Sequence, residues 1–473
     1  MTIDETNVLG ETLLGEAARL RSGETTSVGL VTASLARIHA TNDRLGAFVT
    51  TCDETALAAA ADADADFAAG VDRGPLQGLP LAIKDIISTQ EAGTTANSHI
   101  LAPGWGGGVD APVVARLRAA GGVVVGKATT SEFAIGLPDP ATGFPVPCNP
   151  WNLDHSPAGS SSGTGIAVAA GLVAGGLGTD TGGSVRGPAS MNGHTGLKVT
   201  FGRVPKSGVV PLGYSLDSVG PMARSAADCA ALLAVMAGHD VTDPDAADVP
   251  VPDFLAALDG SVDGLRIGMP LPYFYDDPAL DADVAAAVRT AVGVLSGVGA
   301  DVAETMALDD ARLAKEANTI TLVGEAYAYH ALDLQQRWDR YGCFTRTVLA
   351  RGAMYSAADF VQAQRFRRAF RRKVAAVMSE FDVLITPTSA APAPRRDEMT
   401  PERMLAGPSF TGPWNLTGLP AVAVPCGFSA SGLPISMQIV GRPFAEATVL
   451  KAADAFQRRT DWHLRVPTVN IAA

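Results

Sequence analysis

The sequence predicts a layered α/β fold with a buried sheet. Two observations carry the prediction. Short apolar runs of strand length alternate with longer stretches of helical periodicity along the chain. Hydrophobic residues make up 47% of the 473 residues and charged residues 18%, the balance of a core-forming protein rather than a disordered one.

The elements follow in order. LGETLLGEAARLRSGE (9–24) and SVGLVTASLARIHATN (27–42) place apolar residues at helical spacing. ETALAAAADADADFAAG (54–70) is Ala-rich and helix-favouring, with its aspartates on a solvated face. PLQGLPLAIKDIIS (75–88) holds a short apolar strand with a lysine inside it. PVVARLRAAG is a helix leading to the strand VVVGKAT. The Gly/Ser-rich stretch 158–187 frames a further helix. Within it, GIAVAAGLVAGGLG (165–178) is too short to span a membrane and reads as a tightly packed buried helix. LRIGMP (265–270) is a strand and DADVAAAVRTAVGVLSGVG (281–299) a helix. DVLITPT (382–388), AVAVPCGF (421–428) and SMQIVGRPF (436–444) are strands, and EATVLKAADAFQRR (446–459) is the last helix. PDAADVPVPD (244–253) and PTSAAPAPRR (387–396) are loops.

Composition narrows the function. A net charge of −13 disfavours broad phosphate-backbone binding, so no nucleic-acid partner is expected. Cys52, Cys148, Cys229, Cys343 and Cys426 are scattered without C-x-x-C spacing, which fits a reducing, cytoplasmic compartment. The histidines show no H-E-x-x-H or H-x-H pairing, so neither a metal nor a cofactor is expected. MTIDETNVLGE carries no secretory signal, and no membrane association is expected.

Three motifs have simpler structural explanations. GGVVVGKA (121–128) approaches a phosphate-binding loop, but Ala128 stands where a magnesium-binding hydroxyl is required, and a strand ending in a turn explains it. GSSSG (159–163) matches a nucleophile elbow centred on Ser161, yet NPWNLDHSPA before it is not a strand. In QRFRRAFRRKV (364–374), Phe366, Phe370 and Val374 form a core-facing helical stripe, which puts the arginines on the solvated side.

The informative constellation has three parts: Lys84 in PLAIKDII, Ser160 in AGSSSGTG and Ser184 in GTDTGGSVRGPA. A serine hydroxyl attacks a carbonyl only when a base takes its proton. Lysine is such a base when burial has lowered its pKa. Lys84 is flanked by Leu81, Ala82, Ile83, Ile86 and Ile87, and strand alternation sends Asp85 to the other face. Thr181, Gly182, Gly183 and Ser184 offer consecutive backbone N–H groups for an oxyanion. A lysine at a strand end with its amine in water, and a glycine loop forming an anion nest, are the plainer readings of the same residues.

These motifs resemble the amidase-signature hydrolases. PAGSSSGTGIAVAAGLVAGGLGTDTGGSVRGPASMNGHTGLKVTFGRVPKSG (157–208) is similar to the family's Gly/Ser-rich signature and GLPLAIKDI (78–86) to its lysine segment. FDVLITPT (381–388) and NLTGLPAVAVPCGF (415–428) are similar to its downstream segments. The resemblance implies a large mixed sheet between helical layers, α/β/α, in a single domain over 1–473. Its signature core covers about 78–230, a helical, motif-poor region about 235–380, and a C-terminal part 381–473. It implies Ser184 as nucleophile, Lys84 as ultimate base, and Ser160, after a cis peptide bond, as the bridging serine. By the same resemblance Thr181, Gly182, Gly183 and Ser184 form the oxyanion hole, and Asp180, Arg186 and Ser161 orient the site. The sequence departs from the family in having Ala158 before Gly159, where two glycines are usual.

The expected activity is hydrolysis of a small-molecule carboxylic amide, or of an aryl ester, anilide or carbamate, through an acyl-enzyme, by a monomer or homodimer. The alternative is the glutaminase subunit of a tRNA-dependent amidotransferase. That subunit usually carries an Asn-Leu…Arg-Tyr-Asp-Gly type stretch, which ITLVGEAYAYHALDL (320–334) lacks. Gly136 and Leu137, in FAIGLPDPATGFP (133–145), and Trp414 are the expected substrate contacts, with core packing as the plainer reading of Trp414 and a hydrophobic or aromatic substrate preferred.

Overall fold

The computed structural model describes residues 9, 11–400 and 407–468. Among these, eleven strands make one sheet. They are β1 (Phe48–Thr51), β2 (Pro80–Lys84), β3 (Val123–Ala128), β4 (Gly175–Asp180), β5 (Thr195–Lys198), β6 (Ser218–Ala223), β7 (Arg266–Pro270), β8 (Asp301–Thr305), β9 (Val383–Pro387), β10 (Ala421–Phe428) and β11 (Pro434–Gly441). Their order is β1-β3-β2-β4-β6-β5-β10-β11-β9-β7-β8. β3, β2 and β4 run parallel, as do β9, β7 and β8, and the centre from β4 to β9 is antiparallel.

Helices cover both faces, and the pleat of β2 shows how. Leu81 and Ile83 enter a core shared with helices Pro112–Ala119, Ala226–Met236, Ala282–Ser296 and Glu446–Gln457. Ala82, between them, enters a second core with Ser27–Leu45, Asp53–Ala68 and Ser162–Ala169. Alternate side chains on opposite faces are the expected geometry of a strand buried on both sides. A third core joins helices Ala311–Arg337 and Ala357–Glu380. In the second of these, Phe370 and Val374 are buried and Phe366 half-buried, while Arg365, Arg368, Arg371 and Arg372 are exposed as the stripe predicted; Arg367 departs from it, half-buried and donating to the Leu416 and Ser215 carbonyls. Among the described residues, no helix is long and apolar enough to cross a membrane.

The run 165–178 differs from its expectation. The helix Ser162–Ala169 ends there, the chain turns, and Gly175–Asp180 becomes the central strand β4. The glycines of β4 are required by close approach: a Cβ on Gly176 would lie 2.5 Å from the Ala82 carbonyl oxygen and 2.8 Å from Thr164 Cγ2. The helical, motif-poor region contains the expected strand β7 and one unexpected strand, β8. GGVVVGKA forms β3 and the turn before it, not a phosphate loop.

Candidate active site

The centre of the site is the junction of β2 and β4. The two strands pair in parallel, with Ile83 opposite Leu177; Lys84 ends β2, and Thr179 lies two residues beyond Leu177 in β4, still paired with Val219 of β6. Lys84 is fully buried. Its Nζ donates to Ser160 Oγ at 2.7 Å and to Thr179 Oγ1 at 2.8 Å. Burial lowers its pKa from 10.5 to about 7, against the opposing pull of Asp217 and Asp180. Lys84 forms no ion pair among the described residues, so no adjacent carboxylate fixes it in the charged form.

Asp85, the next residue, turns the other way. Its carboxylate stands 3.4 Å from Lys127 Nζ of β3, both side chains fully buried. Lys127 also donates to the Ile87 carbonyl at 2.6 Å and Thr94 Oγ1 at 2.8 Å.

Ser160 lies just before helix Ser162–Ala169, and the Gly159–Ser160 peptide bond is cis. The Ser160 carbonyl accepts the Ser131 N–H at 3.2 Å, which ties this segment to the residues leading into the loop 133–145. Ser161 N–H donates to the Ser184 carbonyl at 3.2 Å, joining the two serine segments. Ser161 itself is fully buried. Its hydroxyl donates to the Thr179 carbonyl at 3.2 Å and accepts the Thr179 N–H at 3.1 Å, which makes it a clamp between segment and strand rather than an exposed nucleophile.

Ser184 follows β4 in a tight turn and precedes helix Arg186–Asn192. It is half-buried, in contrast to the closed positions of Lys84 and Ser160. The N–H groups of Gly182, Gly183 and Ser184 make no hydrogen bond among the described residues and are free to donate to an oxyanion. Gly183 has φ +132°, and a Cβ there would lie 2.3 Å from Thr411 Oγ1. Thr411 Oγ1 donates to the Gly182 carbonyl at 2.6 Å. Thr181 Oγ1 donates to Asp217 at 2.5 Å, and Asp217 also accepts the N–H groups of Leu212 and Gly213.

Asp180 and Arg186 hold this turn from beneath, both fully buried. Asp180 accepts from Arg186 Nε and Nη2 at 3.0 Å each, from Asn415 Nδ2 at 2.8 Å, and from the Val185 and Arg186 N–H groups. Arg186 also donates to the Thr411 carbonyl, Gln438 Oε1 and Asn415 Oδ1. Burial pushes the Asp180 carboxyl up, but the Arg186 charge and hydrogen bonds and the nearby Lys198 outweigh it and hold it well below its usual value.

Sequence reasoning missed Thr179, Asp217, Thr411, Asn415 and Gln438. Two of these lie in family-like segments: Thr179 in 157–208, and Asn415 at the start of NLTGLPAVAVPCGF. Gly136 and Leu137 are half-buried in the loop 133–145. Gly136 packs on helix Cys343–Ala350, where a Cβ would lie 2.6 Å from Phe344 Cδ1. Trp414 is a correction. It is fully buried and stacked on Phe274 at 5.3 Å, within the third core, so it supports helix Gly412–Thr417 from inside instead of walling a pocket. Among the described residues, no group of three or more His, Cys, Asp or Glu side chains is placed to hold a metal ion.

Comparison with known proteins adds to this geometry. The family model "Amidase" matches residues 29–450. The chain is 42% identical to the A subunit of glutamyl-tRNA(Gln) amidotransferase of Chloroflexus aggregans, over 95% of this chain and 96% of that protein. Its structure is similar to native peptide amidase from Stenotrophomonas maltophilia, with a TM-score of 0.84, 31% identity, and 99% of each chain covered. It is also similar to the A subunit of glutamyl-tRNA(Gln) amidotransferase from Thermotoga maritima, with a TM-score of 0.83, 30% identity, and 100% of each chain covered.

Proposed function

The chain belongs to the amidase family, and from that premise we propose that it hydrolyses an amide C–N bond through an acyl-enzyme on Ser184. The observation that carries this reading is the 2.7 Å contact between Lys84 Nζ and Ser160 Oγ, made by a buried amine whose pKa is lowered to about 7. Neutral Lys84 takes the Ser160 proton as Ser160 takes the proton of Ser184, and Ser184 Oγ attacks the carbonyl carbon. The free N–H groups of the turn 182–184 receive the oxyanion. Ser160 returns a proton to the leaving nitrogen, the C–N bond breaks, and water later displaces the acyl group by the same relay.

Two settings for this chemistry differ in substrate and partner. The 42% identity over nearly the whole chain favours a glutamine-hydrolysing subunit that works inside an amidotransferase. The segment 320–334, without the Arg-Tyr-Asp-Gly type stretch, favours a stand-alone amidase. Nothing in the site or the relatives points to a carbamate or an aryl ester.

The test is to assay the purified chain against amides, anilides, carbamates and glutamine, by itself and with candidate partner subunits. Glutamine turnover only with partners supports the amidotransferase reading, and turnover of small amides by the chain without partners supports the stand-alone one. No turnover under any condition, together with an unreactive Ser184, would reject the hydrolase.

A further inference from the structure

Helix Ala311–Arg337 runs beside the turn that carries Ser184, with Asn318 and Leu322 nearest Gly182 and Glu325 farther along, where it accepts the Ser215 N–H. A Cβ built on Gly182 would stand 3.5 Å from Asn318 Nδ2 and 3.8 Å from Leu322 Cδ1. A Cβ on Gly412, next to the Thr411 that braces the turn, would stand 3.7 Å from the same Nδ2. Asn318 is only 5% exposed, and its Oδ1 has no hydrogen-bond partner among the described residues.

A buried amide oxygen without a partner gives up its hydration for nothing in return. Its place beside a reaction centre suggests that the partner arrives with the substrate. Either orientation of the amide serves, because one end donates and the other accepts. Leu322 alongside gives an apolar wall suited to methylene groups.

We propose that Asn318 is a specificity-determining residue of the acyl subsite, hydrogen-bonding a carbonyl-bearing polar group on the substrate's acyl chain. That group is a carboxamide or a carboxylate, a few bonds beyond the scissile carbonyl. The inference rests on Ser184 being the nucleophile. It departs from the hydrophobic or aromatic substrate expected from the sequence.

The test is protection of Ser184 from a fluorophosphonate, which phosphonylates a reactive serine with loss of fluoride, read by mass spectrometry. Pentanamide, succinamide and succinamic acid compete as protectors of the full-length protein. In the wild type, one of the two polar amides protects about tenfold better than pentanamide, the scale on which a site built for hydrogen bonding rejects an apolar analogue. The better of the two identifies carboxamide or carboxylate as the recognised group. In Asn318→Leu the ratio falls to about one, and Asn318→Ala serves if the leucine variant does not fold. Each ratio is taken within one preparation, so a change in the amount of active protein cannot mimic the effect. The same ratio in wild type and variant, or a wild type best protected by pentanamide, overturns the proposal. A Ser184 that is never modified overturns the nucleophile reading itself, which is a separate outcome.

Discussion

Lys84 Nζ and Ser160 Oγ stand 2.7 Å apart, with both side chains shut away from solvent. The consequence is a pH dependence. The amine is the base only when neutral, so kcat/KM rises as pH climbs through the Lys84 pKa of about 7. Lys84→Arg keeps a charge at every accessible pH and loses activity by on the order of 10²–10⁴, with the rising limb gone. A pH–rate profile checks both, and a wild type flat across neutrality rejects Lys84 as base. The same lowered pKa acts on stability. Between about 7 and 10.5 the unfolded chain binds more protons than the folded one, so stability rises with pH across that window and falls on acidification toward about 7. Lys198, buried and also lowered to about 7, adds to the slope, and Lys84→Met should flatten it only in part.

The three serines should separate by role. Ser184→Ala removes the attacking atom and should lower turnover on the order of 10⁴–10⁶-fold without unfolding the chain. Ser160→Ala cuts the relay and should come close to it. Ser161→Ala removes a clamp on Thr179 and should cost less activity than Ser160→Ala. The reverse order of the last two would revive Ser161 as an elbow nucleophile.

Gly183→Ala should disable the turn. Its φ of +132° is open to glycine, and the added Cβ would lie 2.3 Å from Thr411 Oγ1. The Thr411 hydrogen bond to the Gly182 carbonyl would break, and the freed donors would lose their aim. Removing one oxyanion donor costs on the order of 10²–10³ in kcat, and the turn variant should lose at least that. A variant with kcat within a factor of about three of wild type would show that these amides do not serve the reaction.

Ala158 carries a backbone cost for its departure from the family pattern. Its φ is +58°, in the left-handed region where a side chain is unfavourable by about 1–2 kcal/mol. Ala158→Gly relieves that strain but loosens the unfolded chain, leaving a net gain of up to about 1 kcal/mol. Urea denaturation measures it. A destabilised glycine variant would mean that the alanine methyl makes contacts worth more than the strain.

Arg186 should prove structural before it proves catalytic. Arg186→Met leaves Asp180 buried without its counter-ion, a loss of about 3–5 kcal/mol. The melting temperature should fall with it, and an unchanged melting curve would contradict the role assigned to the pair.

Much of the chemistry was legible, though not from local sequence alone. The apolar neighbours of Lys84 allowed its burial and the glycines before Ser184 allowed free amides, but an amine in water and an anion nest were the plainer local readings, and the family resemblance tipped the balance. β4 was not legible. Gly-Gly-Leu-Gly has almost no side chains to express a strand preference, and only the close packing of β2 and helix Ser162–Ala169 explains it. β1, β5, β6 and β8 were also outside the strands expected; β8 is a mostly exposed run without a buried face. Thr411, Asn415 and Gln438 meet Arg186 from more than two hundred residues away, and no periodicity reports such a meeting. Trp414 was misread because an aromatic beside a site and an aromatic beneath it look alike in a string of letters.

The contrast between Lys84 and Lys127 has a wider meaning. Two buried amines lie on neighbouring strands, and the chain supplies one adjacent carboxylate, Asp85. Because Asp85 turns toward Lys127, the sheet works as a partition between two electrical compartments. One holds an amine 3.4 Å from a carboxylate, which opposes the downward pull of burial on the Lys127 pKa. The other holds an amine that can give up its proton near neutrality, fit for work. A shift of Asp85 to the opposite compartment would leave every residue type in place and yet pin the Lys84 amine as a cation, so the role proposed for Lys84 depends on its neighbour's direction as much as on its own side chain.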